Sequence, residues 1–124
     1  MTLQSGQLVD NLQSEYGETL RVIATYDRDG YEIHYAGQGI DANYSEVDLD
    51  NIYDDVVMQD VSHGFVDDLF NDLGDVRGQL RIFENGIVAH FWPTETKRGV
   101  FLTFDSSADP SMRSLLELIS GFYN

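Results

Sequence analysis

Gly99-Val100-Phe101-Leu102-Thr103-Phe104 is the stretch that decides the fold. It is β-branched and aromatic, and its residues do not alternate cleanly between apolar and polar. A strand with one wet face alternates with a period of two, whereas a strand buried on both faces reads as a nearly continuous apolar run. The segment is therefore expected at the centre of a sheet, with one layer packed above it and another below. The remaining segments then become its neighbours and its covers.

Just downstream, Asp109-Pro110 predicts a helix start, with Asp as N-cap and Pro at the first helical position. Met112, Leu115, Leu116, Ile119 and Phe122 supply its apolar stripe. Just upstream, Gly78 to Phe83 and Ile87 to Trp92 read as two strands joined by the Asn-Gly turn Glu84-Asn85-Gly86. The polar segment Pro93-Thr94-Glu95-Thr96-Lys97 links them to the central strand. A second hairpin lies early in the chain. Leu20 to Asp27 and Tyr31 to Ala36 flank Asp27-Arg28-Asp29-Gly30, a strong turn signal between apolar runs. Plain alternation puts Leu20, Val22, Ala24 and Tyr26 on one face, with Ile23 opposite. It puts Tyr31, Ile33 and Tyr35 together, with Glu32 and His34 opposite, and this cleaner alternation marks an edge strand.

Between the hairpins runs a helical pattern. Leu49, Ile52, Tyr53, Val56 and Val57 keep the spacing of a single buried stripe, which resumes at Val61, Phe65, Val66, Leu69, Phe70 and Leu73. Ser62-His63-Gly64 separates the halves, and one helix or two both fit, since a helical Gly costs ~1 kcal/mol. Gly74 is the expected stop. At the N-terminus, Thr2 to Tyr16 predicts a first helix with Leu8, Val9 and Leu12 buried, ended by Gly17 in the left-handed region.

The chain has 124 residues, a size that predicts one domain spanning residues 1–124. Its net charge is −15, from 22 acidic and 7 basic residues, and its only lysine is Lys97. An ordinary surface mixes both signs and uses lysine freely. Dominance of short carboxylates resembles proteins from salt-in halophiles, in which molar salt screens self-repulsion; the alternative is an acidic mesophilic protein. Nucleic acid is not an expected partner, because phosphate backbones require clustered Lys and Arg. There is no cysteine, hence no disulfide framework. No apolar run approaches the ~20 residues that cross a bilayer. The sequence Met-Thr-Leu-Gln-Ser-Gly lacks the basic and apolar regions of a signal peptide, so a cytoplasmic protein without membrane partners is expected.

The element order α-β-β-α-β-β-β-α resembles the roadblock/LC7 family, a relative of longin and profilin-like folds. The likeness is carried by Arg21-Val22-Ile23-Ala24-Thr25-Tyr26-Asp27-Arg28-Asp29-Gly30, by Gly99 to Phe104, and by Asp109-Pro110 with the last helix. The chain is also similar to small acidic haloarchaeal proteins of unassigned function. The roadblock resemblance implies an α+β fold with a five-stranded antiparallel sheet in the order 2-1-5-4-3. It places the first and last helices on one face and the middle helix on the other. It further implies a homodimer joined through the middle helix and third strand, and a small GTPase or signalling protein as partner. Candidate interface residues are Val57, Val61 and Phe65 on the helix and Leu80 and Ile82 on the strand. Trp92, the single tryptophan, joins them because aromatic residues anchor interfaces. Ser62-His63-Gly64 departs from the family pattern and would shorten or split that surface.

Motifs for catalysis are missing. His34, His63 and His90 have no metal-ligand spacing. Asp27-Arg28-Asp29-Gly30-Tyr31-Glu32 begins like a calcium loop but lacks the later ligands. There is no G-x-S-x-G, and Gly37-Gln38-Gly39 lacks the context of a phosphate loop. Arg77, Arg81, Lys97 and Arg98 form a basic group, in which Arg81 and Arg98 are expected to approach each other and to pair with acids or an acidic partner. The reading is a non-enzymatic, homodimeric interaction module with no metal or cofactor. The alternative is a small-molecule sensor with a pocket lined by Tyr26, Tyr35, His34 and Phe91.

Overall fold

From the N-terminus the chain forms α1 (Ser5–Tyr16), the hairpin of β1 (Leu20–Asp27) and β2 (Gly30–Ala36), and the long helix α2 (Glu46–Leu69). It continues with β3 (Gly78–Phe83), β4 (Gly86–Phe91), β5 (Gly99–Asp105) and α3 (Met112–Gly121). These bounds come from a computed structural model describing residues 5–37, 40, 44–93 and 98–121, the side chains of residues 5 and 63–66 excepted. The expectations for the first helix at residues 2–4, for residues 94–97 and for Phe122 lie outside the described residues.

All five strands pair antiparallel in the order β2-β1-β5-β4-β3, so the segment read first is the middle strand. Its alternate residues serve two different layers. Val100, Leu102 and Phe104 are buried under α1 and α3, together with Ile23, Ala89 and Phe91 from the strands beside it. Leu8 and Leu12 of α1 and Leu115 and Ile119 of α3 close this core. Phe101 and Thr103 point the other way, toward α2.

Local signals account for most boundaries. Gly17 adopts a φ of 58°, the left-handed conformation that ends α1 at little cost for a residue without Cβ. The Asp27 carboxylate accepts the backbone N–H of Asp29 at 2.8 Å and of Gly30 at 3.2 Å, which fixes the β1–β2 turn. The start of α2 lies three residues before Leu49, where the stripe begins. Ser45 and Asp48 form a reciprocal capping box there: the Asp48 N–H donates to the Ser45 hydroxyl at 3.1 Å and the Ser45 N–H to the Asp48 carboxylate at 2.9 Å. Asp109-Pro110 precedes the last helix rather than opening it. Ser111 caps α3 instead, accepting the Ser114 N–H at 3.3 Å.

The middle helix runs unbroken through Ser62-His63-Gly64. Continuity overturns the single buried stripe. Held at 100° per residue, Leu49, Ile52, Tyr53 and Val56 face the sheet, while Met58, Val61 and Leu69 face the opposite way and are exposed. Only a turn at Gly64 would have let the second half rotate its apolar side inward. No helix among the described residues is long and apolar enough to cross a membrane.

Candidate ligand-binding cleft

The sheet face toward α2 is built by two β-bulges. Between Leu20 and Val22, β1 spends one more residue than β5: Leu20 opposes Phe104 and Val22 opposes Thr103. The surplus residue is Arg21. Leu20 therefore joins Ile23 in the core under α1 and α3, and both Arg21 and Val22 face α2. Opposite Ile23 and Ala24, β2 skips in the same manner, with Tyr35 against Ile23 and Ile33 against Ala24. Tyr35 consequently packs on the helical core while Tyr31 and Ile33 face α2. Plain alternation misplaced Leu20 and Tyr35 for this reason.

Cross-strand registers then lay the face out in rows. Val22, Thr103, Val88 and Arg81 form one row, and Ala24, Phe101 and His90 the next, ~7 Å further along the strands. Above them α2 is tied down mainly by polar contacts. The Tyr53 hydroxyl donates to the Asp27 carbonyl, and Arg81 pairs with Asp55 at 2.9 Å. Arg28 reaches the buried Asp60 at 3.4 Å, and Gln79 donates to Gln59 at 3.2 Å. The Asp67 carboxylate accepts the Val76 N–H at 2.6 Å. Val56 is the one buried apolar side chain of α2 among the described residues.

Helix and sheet thus meet without filling the space between them. A cleft of about 730 Å³ remains, with Val22, Ala24, Val88 and Phe101 on its floor and Leu49, Ile52 and Val56 in its roof. Protein interiors are otherwise packed to crystal-like density. Tyr26, Tyr31 and Tyr53 line one end, where Tyr31 and Tyr53 stack with ring centroids 5.5 Å apart. Burial raises the Tyr53 phenol above its ordinary pKa, helped by the carboxylates of Asp27 and Asp29. The other end carries Arg21, Tyr44 and the β3–β4 turn.

Beyond the tyrosine end, Tyr26 and His90 form a hydrogen bond across β5, and Trp92 packs edge-on to His90 at 4.2 Å. The glycine at position 99 makes this reach possible, because a Cβ there would run into the Tyr26 ring.

A second polar group lies on the far side of the sheet. The hydroxyl of buried Thr25 and Nε2 of His34 are 2.8 Å apart, and Glu32 lies 3.8 Å from the same nitrogen. Burial lowers the His34 pKa; Glu32 opposes that shift and Arg98 adds to it. Thr25 and Glu32 meet the ring at one atom, so the ring does not bridge them as a proton relay.

The expected site residues fall in different places. Tyr26 lines the cleft, whereas Phe91 is in the opposite core, Tyr35 packs on that core and His34 joins Thr25. Arg81 and Arg98 do not approach: Arg81 pairs with Asp55, and Arg98 with Asp27 at 3.3 Å and Glu32 at 3.5 Å. Val57 is half-buried on α2, Val61 is 57% exposed, and the side chain of Phe65 lies outside the described residues. Leu80 packs on the helical core, Ile82 is 80% exposed at the free edge of β3, and Trp92 is half-buried. Val57 and Val61 thus sit above one face of the sheet, while Leu80 and Ile82 belong to the other, with the β3 edge between them. Among the described residues no three His, Asp or Glu side chains gather as metal ligands.

Sequence reading missed Arg21 as a site residue. The signal was there: strict alternation would place an arginine beside Ile23 in a core, a conflict that a bulge removes.

Among known proteins, the model of a domain of unknown function, DUF7522, matches residues 6–123. No curated protein and no solved structure matches the chain.

Proposed function

The chain belongs to the DUF7522 family, and from its cleft we propose that it is a non-enzymatic binding module that seats an apolar small molecule between α2 and the sheet. The observation that carries this reading is the 730 Å³ space between two apolar surfaces. That volume is within the range of small-molecule sites, which are concave, mostly apolar and marked by a few polar groups. On this view the occupant completes a second core that the chain leaves unfilled. Ligand and α2 would then stabilise each other, as any ligand that binds only the folded state does.

The test is saturable binding of the neutral dye Nile red to the full chain in molar KCl. One dye per chain is expected. The Ala24→Phe variant places a ring between Ile33 and Phe101 on the cleft floor and should abolish binding while unfolding at the wild-type temperature or above. Binding that survives in a folded Ala24→Phe protein, or no binding by the wild type, overturns the reading.

A second reading is supported by the free edge of β3. Among the described residues this strand pairs only with β4, and Ile82 and Phe83 at its end are exposed, as are Met58, Val61 and Leu69 on the outward side of α2. An unpaired strand edge with apolar flanks is a template for a second copy. Homodimerisation through β3 and α2 accords with that surface and is read by light scattering in molar salt.

A further inference from the structure

We propose, resting on the cleft reading above, that the ligand is an amphipathic anion, an apolar body ended by a carboxylate, and that Arg21 takes the anionic end. Among the described residues, four charged side chains line the cleft: Arg21, Asp55, Arg81 and Glu84. Arg81 and Asp55 satisfy each other at 2.9 Å, and Glu84 belongs to the exposed β3–β4 turn. Arg21 is different. Its side chain is only 24% exposed, yet its acceptors among the described residues are distant: Asp105 lies 4.0 Å from Nε and the Tyr44 hydroxyl 3.5 Å from Nη2. Both distances are at or beyond the outer limit of a hydrogen bond. A guanidinium is a planar fork of donors matched to a carboxylate, and withdrawing it from water without close acceptors costs free energy. An incoming carboxylate supplies what these neighbours do not.

Two features of the backbone hold Arg21 in this role. The bulge in β1 turns it toward the cleft, away from the core that Leu20 and Ile23 enter. Gly86 leaves its guanidinium room, since a Cβ there would lie 3.3 Å from Nη1. The charge of the chain sharpens the point. With a net charge of −15, most of the surface repels an anion, so a site for one must be local. From Arg21 the floor runs through Val22, Ala24 and Phe101 toward the tyrosine end, the path for the apolar body.

Displacement of Nile red from the full chain in molar KCl by decanoate and by decanol tests this. Wild-type protein is expected to bind decanoate about tenfold or more tightly than decanol, the effect of one charge-assisted hydrogen bond. Arg21→Gln should erase that preference, weakening decanoate far more than decanol. Arg21→Lys should keep part of it, and Arg113→Gln on α3 all of it. If Arg21→Gln keeps the preference, or wild-type protein binds decanol as well as decanoate, the anionic assignment falls and the cleft reading stands. If dye binds and neither compound displaces it, the anionic assignment falls; if no dye binds, both readings fall. Should Arg21→Gln not fold, the wild-type ratio and the Arg21→Lys result decide.

Discussion

Gly99 opens the central strand, and its missing side chain is what lets Tyr26 lie across β5 to meet His90 on β4. Gly99→Ala should therefore displace the tyrosine ring and destabilise the fold by about 1–3 kcal/mol, as overpacking does; urea unfolding measures it. A change within 0.5 kcal/mol would mean the ring moves aside freely. His34 gives a pH dependence of definite sign. Its pKa is depressed in the folded state by burial, so the stability tied to its neutral form is present above its ordinary value of 6.5 and is lost as pH falls through the folded value. Between pH 7 and pH 5 the wild type should lose more stability than His34→Gln, which keeps a partner for Thr25. Equal slopes for the two would remove the imidazole as the source. Neither contact was readable from the sequence, because each joins side chains from different strands. Alternation puts His34 on the face of Glu32, but not beside Thr25 of the neighbouring strand.

At the scale of elements, period and turn chemistry carried the reading well. The bounds of β1 and β3 were legible because Asp-Gly and Asn-Gly turns and apolar runs leave little choice. The central position of β5 was legible because its apolar residues do not alternate. The faces of β1 and β2 were legible up to each bulge, but not for Leu20 and Tyr35 beyond it, since one surplus residue reverses the side chains past it. Nor was the outward stripe of α2, because a list of apolar residues does not say whether the helix axis is continuous. That continuity leaves Met58, Val61 and Leu69 on the solvent side, with Ile82 at the neighbouring free edge. If copies pair there, light scattering at tens of micromolar in molar salt should give twice the chain mass, and Ile82→Lys should return it to one. A monomeric wild type would exclude that pairing.

For the molecule as a whole, the sheet divides two unlike compartments. One is packed by Leu8, Leu12, Leu115 and Ile119 against the strands; the other is roofed by α2 and stays open. The packed side was legible from the stripes of the first and last helices, whereas an unfilled space leaves no mark on a pattern of apolar residues. Charge acts at this scale too. With 22 acidic and 7 basic residues, self-repulsion opposes the compact state, and salt shortens its range from about 10 Å at 0.1 M to about 3 Å at 1 M. The melting temperature should therefore climb by several degrees between 0.1 M and 2 M KCl. A flat or falling curve would show that close ion pairs such as Arg81–Asp55 outweigh the repulsion.

The surplus residue at position 21 gives the first strand slack in its length. Deleting Val22 would leave Leu20 and Ile23 two positions apart, so plain alternation would still send both inward under the terminal helices and Arg21 to the opposite side. Deleting one residue between Ile23 and Tyr26, where nothing is surplus, would instead reverse the side chains on one side of the cut. Shortening by one residue is thus tolerable at the skip and nowhere else along its pairing with the central strand.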